Sequence, residues 1–466
     1  MATHRTAYVA LLAAAAMAAC TAPADSAPTL SSSASFTAAA VTSSSPTQTP
    51  SPTPSPALTT AAITPTAARK VSQTFFGLHP GLNAGVPQAV AGSYRLWDTG
   101  TMWGNIEPTK GGAFQWTNFD AAVNAGKSRG VRDFLMVLGM PAPWASSNPT
   151  KLSPFYTPQV SIAPPSSDYA WSRYVKAVAS RAKTKFPTTT WSFEVWNEAN
   201  LPSFYSGTAT RLAQLTGLAD IAVKSVNPAF KTVSPSTTTR MGISSGSGFF
   251  PRYLSALSSV RGYKGRAWPI DAYSFHPYPS GTGTPADAAA AVALMRTRIA
   301  ASGAPARPLW NTEINYGIAG PGTNPDGSPK YPHTDIPGTK SADWLARTYL
   351  DSLRLGIERV YWYAWSNGMT YLGIKTYYDT PATKALGTIR TWLAGATVTS
   401  CTGTRLHVCT ATRVSGARTL SFSVAWTDSG KGYVTRGAIT VCPAYGSCVK
   451  KPAGTITITT MPVKLG

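Results

Sequence analysis

Between about residues 70 and 394, short apolar runs alternate with longer stretches of helical period. Eight runs read as strands: Phe75–His79, Ser93–Asp98, Asp133–Gly139, Thr190–Glu198, Lys231–Ser236, Asp271–Tyr278, Pro308–Gly317 and Arg359–Ser366. FLMVLG at 134–139 and VYWYAW at 360–365 are apolar throughout. Strands covered on both faces have that pattern. Helical patterns span 118–129, 167–186, 209–226, 286–301, 341–355 and 383–393. The second opens with Ser166-Ser167-Asp168, an N-cap cluster, and stops before Pro187. The third stops before Asn227-Pro228. Eight strands alternating with helices predict an α/β fold, a (β/α)8 barrel over 68–394. The structural alternative is a doubly wound open sheet. It usually has fewer strands, and no glycine-rich phosphate loop follows the first strand here.

From 395 the period changes. Runs such as LSFSVAW at 420–426 and GTITITTMPVKL at 454–465 alternate and are separated by Gly, Thr, Asp and Ser. They predict a small, β-sandwich-like all-β module over 395–466.

The first twenty residues have a different character. Tyr8–Ala19 forms an apolar stretch of signal-peptide length behind Arg5, too short for a convincing membrane span. Met17-Ala18-Ala19 before Cys20 resembles a lipobox, although Met stands where Leu is usual. Lipidation at Cys20 is the expectation, with ordinary signal-peptidase cleavage nearby as the alternative. Residues 21–67 are almost all Ser, Thr, Pro and Ala, with Asp25 as their only charge. Such a segment buries too little apolar surface to offset its ordering entropy and predicts an extended spacer. An exported envelope lipoprotein, or a secreted protein, is the expected location, with a lipid anchor to the membrane. A monomer is expected.

Formal net charge is +22, and Arg5 and Asp25 cancel, so the excess lies in the folded part. Anionic wall polymers, uronic-acid or phosphate-bearing substrates, or a membrane surface would suit it, as would a generally basic surface without a specific partner. Nucleic acid is not expected, because no Lys/Arg cluster with interleaved aromatics occurs. Beyond Cys20, four cysteines remain: Cys401, Cys409, Cys442 and Cys448. An even set in an exported chain reads as two disulfides. Three pairings are possible, and the local one, 401–409 with 442–448, is preferred. No CxxC spacing points to zinc.

Catalytic residues of a barrel sit at the C-terminal ends of its strands. Glu198 closes TWSFEVWNE on the fourth strand, and Glu313 closes PLWNTE on the seventh. Acids are scarce, 19 in 466 residues, so two glutamates so placed stand out. Glycosidic cleavage needs one protonated carboxyl to serve the leaving oxygen and one ionised carboxyl to attack. Trp196 and Asn197 beside Glu198, and Trp310 and Asn311 before Glu313, offer apolar cover and donors. Glu194, four residues before Glu198, is expected to face the interior and meet an Arg or Lys.

Trp196-Asn197-Glu198 with Glu313 resembles the clan A glycoside hydrolases. The stretch RLWDTGTMWGNIEPTKGGAFQWTNFD at 95–120 looks like family 39 and its exopolysaccharide-hydrolase relatives. The resemblance covers about 70–394 and implies a retaining double displacement, with Glu198 as acid/base, Asn197 on the sugar 2-hydroxyl and Glu313 as nucleophile. It implies that Arg95 bonds the nucleophile, and that His276 and Tyr278 line the site beside it. Trp365 would stack on a sugar ring, His79 and Asp98 would bind hydroxyls, and Trp144, like Trp103, is a weaker platform candidate. Glu107 reads as structural. No metal or organic cofactor is required, although calcium could bind structurally. Expected substrates are polysaccharides or oligosaccharides: β-xylosides, uronides, exopolysaccharides or an envelope glycan. A transglycosidase using the same pair, and a catalytically silent carbohydrate-binding lipoprotein, are the rival readings. The Gly- and Pro-rich insert at 317–340 is expected to shape one end of the cleft.

Overall fold

A computed structural model describes residues 68–466, apart from 82–89, 157, 240–247, 280, 320–331 and 367. The leader, Cys20, the Ser/Thr/Pro/Ala tether and half of the 317–340 insert therefore lie outside the described residues.

Eight parallel strands form the centre: β1 Phe76–Pro80, β2 Ser93–Leu96, β3 Asp133–Leu138, β4 Thr190–Val195, β5 Lys231–Val233, β6 Tyr273–Phe275, β7 Leu309–Ile314 and β8 Arg359–Trp365. Their order is β5-β4-β3-β2-β1-β8-β7-β6. The ring closes between β5 and β6 through the parallel bridges Val233–Ala272 and Thr238–His276. Besides the one-turn helix Trp103–Ile106, seven longer helices among the described residues follow β2 to β8 in turn: α1 Thr117–Ser128, α2 Asp168–Lys185, α3 Ala209–Val226, α4 Phe249–Ser258, α5 Pro285–Ala301, α6 Gly338–Arg354 and α7 Pro381–Leu393. This is the (β/α)8 barrel the alternation predicted. Ser167 caps α2 by accepting from the Ala170 amide. Helix α4 carries no counterpart in the sequence reading.

The barrel interior is a packed layer. Leu135, Val233, Ala272, Trp310 and Tyr361 form one buried cluster drawn from strands or strand ends around the ring. Tyr361 fills so much of it that a Cβ on Gly77 would lie 2.5 Å from its ring, so only glycine fits there. The opposite strand faces, including Phe76, Leu78, Phe134 and Phe193, pack under the helices.

The C-terminal strands are β9 Thr397–Thr402, β10 Leu406–Ser415, β11 Arg418–Thr427, β12 Gly432–Arg436, β13 Ile439–Pro443, β14 Val449–Lys451, β15 Gly454–Ile458 and β16 Val463–Leu465. A seven-stranded antiparallel sheet and the β12–β15 ribbon share a core of Ala425, Ile456, Ile458 and Leu465. The seventh strand of that sheet is Arg69–Lys70, paired to Val398 and Thr397. The chain therefore passes through the module before it enters the barrel, which places the module's edge at 69 as well as after 394. Disulfides join Cys401 to Cys409 and Cys442 to Cys448, the local pairing. The module is fastened to α6: Trp426 Nε1 donates to Asp351 Oδ1 at 3.2 Å, and Arg347 meets Asp428. No described helix is long and apolar enough to cross a membrane.

Candidate active site

Glu198 lies three residues past the end of β4, not on it. The strand stops at Val195, and the backbone then takes left-handed conformations at Trp196 (φ 78°) and Glu198 (φ 41°). Non-glycine residues pay conformational energy there, and such strain collects at functional positions. The turn is pinned by Ser236, beyond β5. Its hydroxyl accepts from the Glu198 amide at 3.1 Å, and its carbonyl accepts from the Ala199 amide at 3.1 Å. Because the chain turns, strand alternation does not extend from Glu194 to Glu198. Glu194 does face the interior.

Glu313 is also displaced from simple alternation. Trp310 belongs to the interior layer, and Thr312 bonds Ser274 from the same face. The next residue would point outward. The β7–β8 pairing shifts register between Asn311 and Ile314, and Glu313 meets Arg95.

The two carboxyls converge. Oxygens of Glu198 and Glu313 and one nitrogen of His276 all lie within 4.8 Å of one another. His276 Nδ1 is 2.9 Å from Glu198 Oε1. Arg95, buried at the heart of the barrel, donates from Nη1 to Glu313 Oε2 at 2.9 Å, and the Tyr278 hydroxyl donates to Glu313 Oε1 at 3.0 Å. Arg95 also binds Glu194 through two nitrogens, at 2.8 and 2.9 Å, and donates to Asn197 Oδ1 at 2.7 Å. One guanidinium thus orients both the nucleophile candidate and the residue preceding Glu198. Burial pushes the Glu313 carboxyl up to about 7; His276 and Arg95 oppose the rise, while the charges of Glu198 and Asp98 add to it. The Glu198, His276 and Glu313 atoms form a donor set of metal-binding type, but the Arg95 charge against Glu313 opposes a cation there.

The other candidates are placed as follows. His79 is buried; Nε2 donates to the Thr312 carbonyl at 2.8 Å, and Nδ1 has no partner among the described residues. Burial, then Arg95, pushes its ionisation well down, so the ring is neutral. Asp98 stands beside the Tyr363 hydroxyl with Oδ2 unpartnered, and burial pushes its carboxyl up. Trp365 is buried at the end of β8, edge-on to Tyr378 at 5.5 Å. Trp144 sits in the short helical turn Pro143–Ala145 after β3. It packs edge-on to buried Trp103 and donates to the Glu107 carbonyl, as loop tryptophans do when they act as covers. Trp103 stacks on Tyr174, and Glu107 accepts from Trp103 and pairs with Arg173, so this group is packing around a buried acid.

Three phenols escaped the sequence reading. The Tyr363 and Tyr371 hydroxyls meet at 2.8 Å, and Tyr156, after β3, lies near Asp98 and Glu313. Tyr363 lies two residues from the interior residue Tyr361 on β8, so it shares that face and could have been placed from the alternation; Tyr156 and Tyr371 sit on irregular segments that carry no period.

A parallel barrel with two glutamates converging beyond its fourth strand and at the end of its seventh is the arrangement of clan A glycoside hydrolases. The sequence profile described as "Glycosyl hydrolases family 39" matches residues 95–337, just over half the chain, and the chain belongs to that family. It is 26% identical over 256 residues to a β-xylosidase from Caldicellulosiruptor saccharolyticus, a stretch covering 52% of this chain and 47% of that protein. The chain thus aligns with about half the length of that relative. Two solved structures share the fold: a family 39 β-xylosidase from Caulobacter crescentus (TM-score 0.57, 14% identity, 86% of this chain and 97% of that one) and a glucosidase from Croceicoccus marinus (TM-score 0.56, 12% identity, 86% and 96%).

Proposed function

We propose that this chain is a retaining glycoside hydrolase that cleaves a polysaccharide or oligosaccharide of the extracellular space or cell wall by double displacement. The observation that carries this reading is the approach of the Glu198 and Glu313 oxygens to within 4.8 Å. Retention needs carboxyls about 5–5.5 Å apart, whereas inversion needs about 6.5–9.5 Å to seat a water.

The roles follow from the partners. Arg95 and the Tyr278 hydroxyl donate to Glu313 and stabilise its anion against the rise that burial imposes, and that anion attacks the anomeric carbon. Glu198 serves as the acid, giving a proton to the leaving oxygen and taking one from water in the second step. Two carboxyls this close cannot both ionise freely, so near neutrality the pair holds about one proton. Asn197, aligned by Arg95, donates through its amide nitrogen to the sugar 2-hydroxyl region. His79 Nδ1 and Asp98 Oδ2 accept from further hydroxyls.

The names of the β-xylosidase relatives make a β-xyloside the first substrate to try. Export and a lipid anchor at Cys20 belong to the same proposal, as does a monomeric state. The test is to follow the anomeric proton of the first product by NMR with an aryl β-xyloside. Initial release of the β-anomer supports retention, and initial release of the α-anomer overturns it.

A further inference from the structure

A second cleft lies where the barrel meets the module. It measures about 550 Å³, within the range of small-ligand sites. One wall is the first turns of α6, with Lys340, Asp343, Trp344 and Arg347; the other is the module, with Asp428, Ser429 and Thr460. Three observations concern what it could hold. Trp344 is half-buried, held edge-on by Tyr316 at 5.1 Å, and the Lys340 ammonium sits 4.7 Å from the ring centroid, over its face. That ammonium is on an exposed, flexible side chain and can move aside. The floor carries charges of both signs: Arg347 and Asp343 are buried, yet Arg347 Nε and Asp343 Oδ1 have no hydrogen-bond partner among the described residues. The module wall contributes hydroxyls.

An aromatic face for C–H groups, flanked by fixed polar groups and hydroxyls, is the chemistry that recognises a saccharide. The mixed charge of the floor favours a neutral one. The cleft's position adds to this. Helices α5 and α6 begin where the chain leaves the ends of β6 and β7, so their N-terminal turns, with Thr284 and Thr339, lie on the barrel face that also carries Glu198 and Glu313.

We infer that this cleft is a second saccharide-binding site, distinct from the carboxyl pair, which holds a stretch of a neutral polysaccharide while another stretch reaches the catalytic carboxyls. Holding one chain at two places raises the effective concentration of the scissile bond without any new contact at the carboxyls. The inference rests on the polysaccharide-substrate reading above.

The experiment is affinity electrophoresis of the full chain carrying Glu313→Gln, through gels containing arabinoxylan, β-1,4-galactan or mannan. Neutral polymers at raised salt keep the +22 charge from capturing the gel matrix. Trp344→Ala and Ser429→Arg are added separately; Ser429 is exposed, so the arginine fills the cleft without entering the core. At least one polymer should retard the parent, and each variant should weaken that retardation about tenfold. In the Glu313-intact chain, both variants should leave aryl-glycoside hydrolysis unchanged, and Ser429→Arg, at an exposed position, should also leave the unfolding midpoint unchanged. Full retardation of the Ser429→Arg chain overturns the inference whatever Trp344→Ala does, and so does a parent that no polymer retards. Retardation through the cleft by a chain that hydrolyses no glycoside would instead overturn the hydrolase reading and leave this one standing.

Discussion

Glu194 takes two donors of Arg95, at 2.8 and 2.9 Å, and leaves Glu313 a single one at 2.9 Å. One buried positive charge therefore serves two buried carboxylates. Neutralising Glu194 as Gln would leave Arg95 to Glu313 alone and favour the Glu313 anion. The acidic limb of the kcat/KM profile, which reports the ionisation of the free enzyme's nucleophile, should then move to lower pH. A limb that stays in place or moves upward would show that Glu194 does not tune the pair.

Replacing Arg95 by Met should be far more disruptive than the Glu194 change. It strands two carboxylates in the barrel, with Asn197 Oδ1 losing its donor as well. Removing one partner of a buried pair costs about 3–5 kcal/mol. Denaturant unfolding should show a loss of that order, and a loss below about 1 kcal/mol, the range of an exposed pair, would contradict the buried network.

Glu313→Gln should lower turnover by several orders of magnitude with the fold intact, because the attacking oxygen is lost. It should also change how stability depends on pH. The Glu313 carboxyl stands near 7 in the fold, against 4.5 for the free side chain. The native state thus binds more protons than the unfolded chain between those values, so the contribution of Glu313 falls as pH rises through that window. Gln does not titrate. The variant's unfolding midpoint, relative to the parent's, should rise from pH 4.5 to pH 7.5 and be flat beyond. A difference that is constant with pH, or that narrows, would place the raised ionisation elsewhere.

The sequence shows the barrel clearly and its site only partly. The strands are legible because runs such as Phe134–Leu138 and Val360–Trp365 are buried on both faces and carry no polar interruption. Helix α4 is not, since FFPRYLSALS is short and has Pro251 in its first turn, where a proline is tolerated but reads as a break. The Arg69–Lys70 pairing with β9 joins positions more than three hundred residues apart, and no local pattern announces it. Glu198 and Glu313 could be chosen from residue type and strand position. Their convergence could not, because it depends on left-handed backbone at Trp196 and Glu198, where no glycine marks the turn, and on a register shift in β7. The hydrogen bond of Trp144 to the Glu107 carbonyl is likewise a tertiary fact that no local pattern announces.

The module's disulfides close loops of eight and six residues in separation. Loops that short restrict the unfolded chain by about 2–3 kcal/mol each. Reduction should lower the unfolding midpoint. Because α6 is tied to the module through Trp426–Asp351, heating should show the barrel losing stability together with the module. A module that melts separately, with barrel unfolding unchanged by reductant, would argue against that coupling.

Glu198→Ala offers the sharpest separation of the two carboxyl roles. Loss of an acid matters in the first step in proportion to how badly the leaving oxygen needs a proton. Aryl glycosides with strongly acidic phenols leave without help, so their first step should be nearly normal and the glycosyl–Glu313 intermediate should accumulate. Substrates with alkoxide leaving groups, including natural oligosaccharides, should lose most of their turnover. The second step lacks its base as well, and azide, which needs no deprotonation and fits where the carboxylate was, should speed release of the accumulated intermediate. The product is a glycosyl azide whose configuration at the anomeric carbon matches that of the substrate, because azide enters from the face Glu198 occupied. If Glu313 were the acid/base instead, azide would enter the Glu198→Ala enzyme from the vacated nucleophile face and give the glycosyl azide of inverted configuration.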